Sequence, residues 1–152
     1  MSVEARLQEL GIGLPDVAPP IYTYQNYTRM GDMVFLSGQV SRSADGGFLT
    51  GKLGADCDVA AGQEAARACA IHMLASAKTI TGSLDDIRFL KVLVMVNAAP
   101  DFTQHALVAE GFSKCIEDVL GDRGRHARSA VGMGSLPANV RVEVEAILQV
   151  TS

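Results

Sequence analysis

The chain is short of the residues that build metal and disulfide frameworks. Its three cysteines, Cys57, Cys69 and Cys115, are odd in number and show no C-x-x-C spacing. That argues against a disulfide set or a zinc site and for reduced thiols in a cytoplasmic protein. The three histidines, His72, His105 and His126, have no H-x-x-x-H or H-E-x-x-H spacing, so no bound metal is expected. Long apolar runs are missing too. None reaches the roughly 20 residues that a membrane-crossing helix needs, so no membrane partner is expected. The start, Met1-Ser2-Val3-Glu4-Ala5-Arg6, lacks the charged-then-apolar layout of a signal peptide. Positive charge is scarce: 13 Lys and Arg stand against 17 Asp and Glu, a net charge of -4. Proteins that grip phosphate backbones usually show a basic face. The only basic cluster is Arg123, Arg125, His126 and Arg128, offset by Asp122, so a nucleic-acid partner is disfavoured. Gly46-Gly47 lacks the context of a phosphate-binding loop and reads as a turn.

What is present is ordinary globular material. With 152 residues, 48% of them hydrophobic, the chain can bury one sizeable core. No internal repeat or linker divides it, so residues 1–152 read as one domain. Val3, Leu7 and Leu10 share a helical face that Gly11 stops. Pro15, Pro19 and Pro20 make the next stretch an extended connector, which ends the N-terminal segment 1–20. A strand is expected over Tyr22–Tyr27, a turn at Met30-Gly31-Asp32 and a second strand over Met33–Val40, together a hairpin. Residues 41–57 form a loop. Asp58 caps a long alanine-rich helix over Val59–Thr81, closed by Gly82. A buried strand over Ile87–Ala98 follows. A helix over Phe102–Leu120 comes next, opened by Pro100-Asp101 and closed by Gly121. Ala127–Gly134 reads as a strand. From Val140 to Val150, apolar and polar residues alternate with the period of a strand that has one buried face. Ile147 falls on the other face, so that face meets water, a ligand or another subunit. The order β-β-α-β-α-β-β implies an α/β domain: a mixed sheet with two helices packed on one face.

One stretch carries chemistry. Arg128 stands at the start of a strand, and Glu143 follows on the next one beyond Leu136-Pro137. A guanidinium fork suits a small carboxylate, and a nearby acid can move a proton or hold a water. Alternatively, Arg128 is a surface arginine paired with Glu143 or Asp122. Glu145, two residues along the same strand face, rivals Glu143. Tyr24 is open to a packing role at the hairpin, and Cys69 and Cys115 read as small core residues. His105 reads as a helix-surface residue, and His126 as a loop residue accessory to Arg128 at best.

Taken in order, Tyr24, Gly31-Asp32-Met33-Val34-Phe35-Leu36-Ser37-Gly38-Gln39, Asp101-Phe102, Ala127-Arg128-Ser129, Leu136-Pro137 and Val142-Glu143-Val144-Glu145-Ala146 resemble the RidA/YjgF family of reactive-intermediate deaminases, also labelled endoribonuclease L-PSP. The resemblance runs from about Tyr22 to Val150. The N-terminal helix and Thr50-Gly51-Lys52-Leu53-Gly54-Ala55-Asp56 resemble a divergent branch. The resemblance implies a chorismate-mutase-like fold and a homotrimer with three clefts between subunits. In these clefts small 2-imino acids become 2-keto acids and ammonia without a cofactor. It further implies that Arg128 binds the substrate carboxylate and Glu143 positions water or moves a proton. Tyr24 would border the cleft and Gly38 would lie on the strand that lines it. Two positions depart from the family pattern. Ala130 stands where its deaminases usually carry cysteine, although its backbone N–H remains a donor whatever the side chain. Thr103-Gln104-His105-Ala106 has no asparagine where they usually have one. Three functions follow in order of preference: an imine deaminase, a non-catalytic trimeric binder of small carboxylates such as 2-keto acids, and a ribonuclease.

Overall fold

The computed structural model describes residues Met1–Ser152. Eight principal elements run α1 (Val3–Glu9), β1 (Tyr27–Met30), β2 (Met33–Val40), α2 (Val59–Thr81), β3 (Ile87–Asn97), α3 (His105–Leu120), β4 (Ala127–Met133) and β5 (Val142–Val150). The strands form one sheet in the order β1-β2-β5-β3-β4. Only β3 and β4 run parallel, joined by α3; the other pairs are antiparallel. The sheet is therefore mixed, as the pattern of elements implies.

The long helix has the bounds read from the sequence. The Asp58 carboxylate accepts from the Ala61 N–H at 2.9 Å, and Gly82 closes the helix with φ 81°. Ala65, Ala66, Ala70 and Ala77 are completely buried. Their small side chains let α2 lie close to the sheet and to α3. At the crossing, a Cβ on Gly111 of α3 would fall within 2.8 Å of the Gln63 backbone, so only glycine permits this approach. Val92, Val94, Val96, Val142, Val144 and Leu148 turn to the helices and are buried. This is the period-two face expected for β5, extended onto β3. No helix is long and apolar enough to cross a membrane.

Three boundaries differ from the expectations by two residues or more. The first strand is Tyr27–Met30, not Tyr22–Tyr27. The tight turn at Gly31-Asp32 sets the register, so Tyr27 pairs with Leu36 and the earlier tyrosines lie beyond the ladder. Helix α3 starts at His105, because a turn in which the Phe102 N–H donates to the Ala99 carbonyl intervenes. Strand β5 starts at Val142, since the Arg141 N–H is given to the Leu49 carbonyl in the preceding loop.

The face of the sheet away from the helices carries Phe35 beside Ile147, Met95 beside Glu143, and Leu93 beside Glu145. Val131 continues it on β4. Phe35 and Val131 are 39% and 38% exposed, so this apolar surface is uncovered in the single chain.

Candidate functional site

Strand pairing decides where each candidate side chain points. Glu143 pairs with Met95 and Val40, on the open face of the sheet. Opposite Glu145, β2 has two residues where one would fit. The ladder passes from Leu36–Ala146 to Gln39–Val144, leaving Ser37 and Gly38 as a bulge. The Glu143 carboxylate fills the space this creates. A Cβ on Gly38 would overlap its Oε2 and stand 3.1 Å from its Cδ. Burial raises the Glu143 pKa above the ordinary carboxylate value, and the neighbouring Glu145 adds to this. Both acids share one face, as expected, but only Glu143 is half-buried and set against the bulge; Glu145 is exposed.

Tyr24 lies outside any strand and is 50% exposed. Its segment is nonetheless tied to the bulge. The Ser37 hydroxyl donates to the Gln25 carbonyl at 2.5 Å, and the Ser37 N–H donates to the Asn26 carbonyl at 3.0 Å. Tyr24, Gly38 and Glu143 thus belong to one region.

Arg128 does not join them. It pairs in register with Val92, whose side chain lies beneath the helices, so Arg128 and Glu143 occupy opposite faces of the sheet. Nor does Arg128 pair with Glu143 or Asp122. Its Nη1 donates to Glu110 Oε1 at 2.8 Å and to Ser113 Oγ at 3.0 Å, both on α3. Ala130 follows on the same face, opposite Val94 and against the core.

Sequence reading missed this partner set. Glu110 and Ser113 are three residues apart on α3 and share a face, a spacing that could have flagged them. His126 belongs to it as well. Its Nε2 is 2.9 Å from Ser113 Oγ, and its Nδ1 is 2.6 Å from the Gly124 carbonyl. The ring sits edge-on to Phe112 and tilted against Phe89, and burial lowers its pKa. His105 is not a free surface residue. It packs edge-on against Phe102, and Gly132 leaves it room on β4. Cys69 and Cys115 are buried core thiols, as read, and burial raises the pKa of Cys115 to about 11.

Two surface grooves, of about 560 and 340 Å³, contain none of Tyr24, Gly38, Arg128, Ala130 or Glu143. The larger lies between the connector after α1, the loop after β2 and α2; the smaller lies between α2 and α3. In the single chain the candidate residues lie on the two opposite faces of the sheet.

Comparison with known proteins places the chain. Residues 4–148 match the family described as "YjgF/chorismate_mutase-like, putative endoribonuclease". The chain belongs to the YjgF family. It is 43% identical over 152 residues to Protein TCP17 of Trypanosoma cruzi, covering 99% of this chain and 95% of that one. The crystal structure of Atu1372 from Agrobacterium tumefaciens, a protein of unknown function, is 41% identical with a TM-score of 0.89. That match covers 98% of this chain and 94% of the other. E. coli TdcF, crystallised with bound serine, is 28% identical with a TM-score of 0.58, covering 91% and 94% of the two chains. The mixed sheet under two helices is thus the chorismate-mutase-like fold of this family.

Proposed function

We propose that this YjgF protein is a cofactor-free deaminase that hydrolyses small 2-imino acids to 2-keto acids and ammonia in a cleft between subunits. The observation that carries the reading is the Glu143 carboxyl. It is half-buried, its proton affinity is raised, it is set against the Gly38 bulge, and it is engaged by no hydrogen bond within the chain. Such a group can take a proton from water as it attacks the imine carbon and return it to the departing nitrogen. The balance is simple. Water forms the new C–O bond, the C–N bond breaks, ammonia leaves, and the 2-keto acid remains.

Arg128 supplies the carboxylate grip from one subunit. Tyr24, Gly38 and Glu143 line the cleft from its neighbour, because one chain turns Arg128 and Glu143 to opposite sides of its sheet. The apolar surface around Phe35, Ile147 and Val131 provides the contact for a homotrimer. Serine in TdcF is itself a small molecule bearing a carboxylate. The test is keto-acid and ammonia release from imines generated by an amino-acid oxidase. Acceleration by wild type and not by Arg128→Ala supports the assignment, and equal acceleration by both rejects it.

A second reading has its own observation. Ala130 provides no thiol, and residues 103–106, just after Phe102, include no asparagine. A trimer lacking both would hold 2-keto acids without turning over imines. It would show thermal stabilisation by keto acids and no ammonia release. Ribonuclease action has little to rest on, since His105 and His126 are each packed against aromatic rings and no two histidines face one site.

A further inference from the structure

Arg128 is held by one tine of its fork. Nη1 donates to Glu110 Oε1 and Ser113 Oγ, while Nε and Nη2 make no hydrogen bond within the chain. The Nε–Nη2 edge is one of the two-donor edges on which a carboxylate can dock with parallel charged hydrogen bonds. We infer that Glu110, Ser113 and His126 are positioning residues that lock Nη1 and present the Nε–Nη2 edge of Arg128 to the ligand carboxylate. The inference rests on Arg128 being the carboxylate-binding residue of the proposed function.

With the imidazole neutral, the hydrogen bonds have a direction that only one arrangement satisfies. The Gly124 carbonyl can only accept, so His126 carries its proton on Nδ1. Its Nε2 is then an acceptor for the Ser113 hydroxyl. That hydroxyl, having spent its proton on His126, offers lone pairs to Arg128 Nη1. Burial between Phe89 and Phe112 lowers the imidazole pKa and so favours the neutral form, the one this chain requires. Glu110 supplies the counter-charge, which lowers the cost of holding a guanidinium only 22% exposed at its side chain. A lone flexible arginine would lose rotamer freedom on meeting its ligand. A pre-fixed one loses less, and the difference appears as affinity.

The experiment measures pyruvate affinity and imine turnover for wild type, Arg128→Ala, Ser113→Ala, Ser113→Thr and Glu110→Gln, each checked for an unchanged melting profile. Ser113→Ala and Glu110→Gln are expected to weaken pyruvate binding roughly five- to tenfold. They should raise KM by a similar factor while kcat changes less than twofold. Ser113→Thr, which keeps the hydroxyl, restores wild-type affinity. A role confined to packing would lower kcat or the melting temperature without this split and without rescue by threonine. If Arg128→Ala abolishes binding while Ser113→Ala and Glu110→Gln bind like wild type, the positioning role is overturned and the carboxylate site stands. If Arg128→Ala binds pyruvate as wild type does, or wild type binds none, the carboxylate site itself falls and the inference with it.

Discussion

Replacing Gly38 with alanine tests whether Glu143 sits where chemistry happens. The new methyl would meet Glu143 at 3.1 Å from Cδ and 3.3 Å from Cγ, and it would overlap Oε2. Carbon atoms rest about 3.5–4.0 Å apart, so the carboxyl must withdraw by ~1 Å. Gly38 does not have a positive φ, so the backbone itself accepts alanine. Stability should therefore change by less than about 1 kcal/mol, since the entropy gained on leaving glycine offsets the shifted glutamate. Activity should not survive so well. A displacement of ~1 Å at a reacting group can lower the rate about 100-fold. The assay is kcat for imine hydrolysis beside a thermal melt. The double variant Gly38→Ala with Glu143→Asp, one methylene shorter, should recover part of the loss. Wild-type kcat in Gly38→Ala with an intact melt would refute the placement of Glu143 at the reaction.

Other outcomes follow from the same geometry. Glu143 has a pKa raised by burial, so its charged form opposes folding at neutral pH. Glu143→Gln should raise the melting temperature there while abolishing turnover. The advantage should fade as pH falls through the folded-state pKa and the native carboxyl becomes neutral; a gain that persists in acid would contradict this. Asp58→Ala removes the α2 cap and should cost about 1 kcal/mol by denaturant unfolding, with no effect on ligand affinity. Phe35→Glu places a charge on the uncovered apolar face and should break the proposed trimer, shifting the species seen by size-exclusion chromatography to the monomer; an oligomer unchanged from wild type would place the interface elsewhere.

Much of the fold was legible because it is written locally. Asp58, Gly82 and the alanines fix α2, and the alternation in β5 fixes which residues face the helices. The misplaced first strand shows the limit of propensity. Tyr22 and Tyr24 look like strand residues, yet the turn at Gly31-Asp32 leaves them outside the ladder, while polar Thr28 and Arg29 are drawn into it. The candidate site was legible as a set of residues but not as an arrangement. No spacing between Arg128 and Glu143 tells that β3 separates their strands and that the two side chains leave opposite faces. The partnership of Arg128 with Glu110 and Ser113 arises only when α3 packs over β4. Nothing in the strand pattern carries it.

The opposite facing of Arg128 and Glu143 makes the proposed cleft a shared possession. If each cleft takes its arginine from one chain and its glutamate from the next, two differently crippled proteins should repair each other. Arg128→Ala chains still bring an intact Glu143, and Glu143→Gln chains still bring an intact Arg128. In a closed ring of three, every mixed assembly then regenerates one complete cleft, whichever chain is in the majority. Unfolding and refolding the two inactive proteins together in equal amounts should restore about a quarter of the wild-type activity. Mixing them without exchange of subunits should restore none.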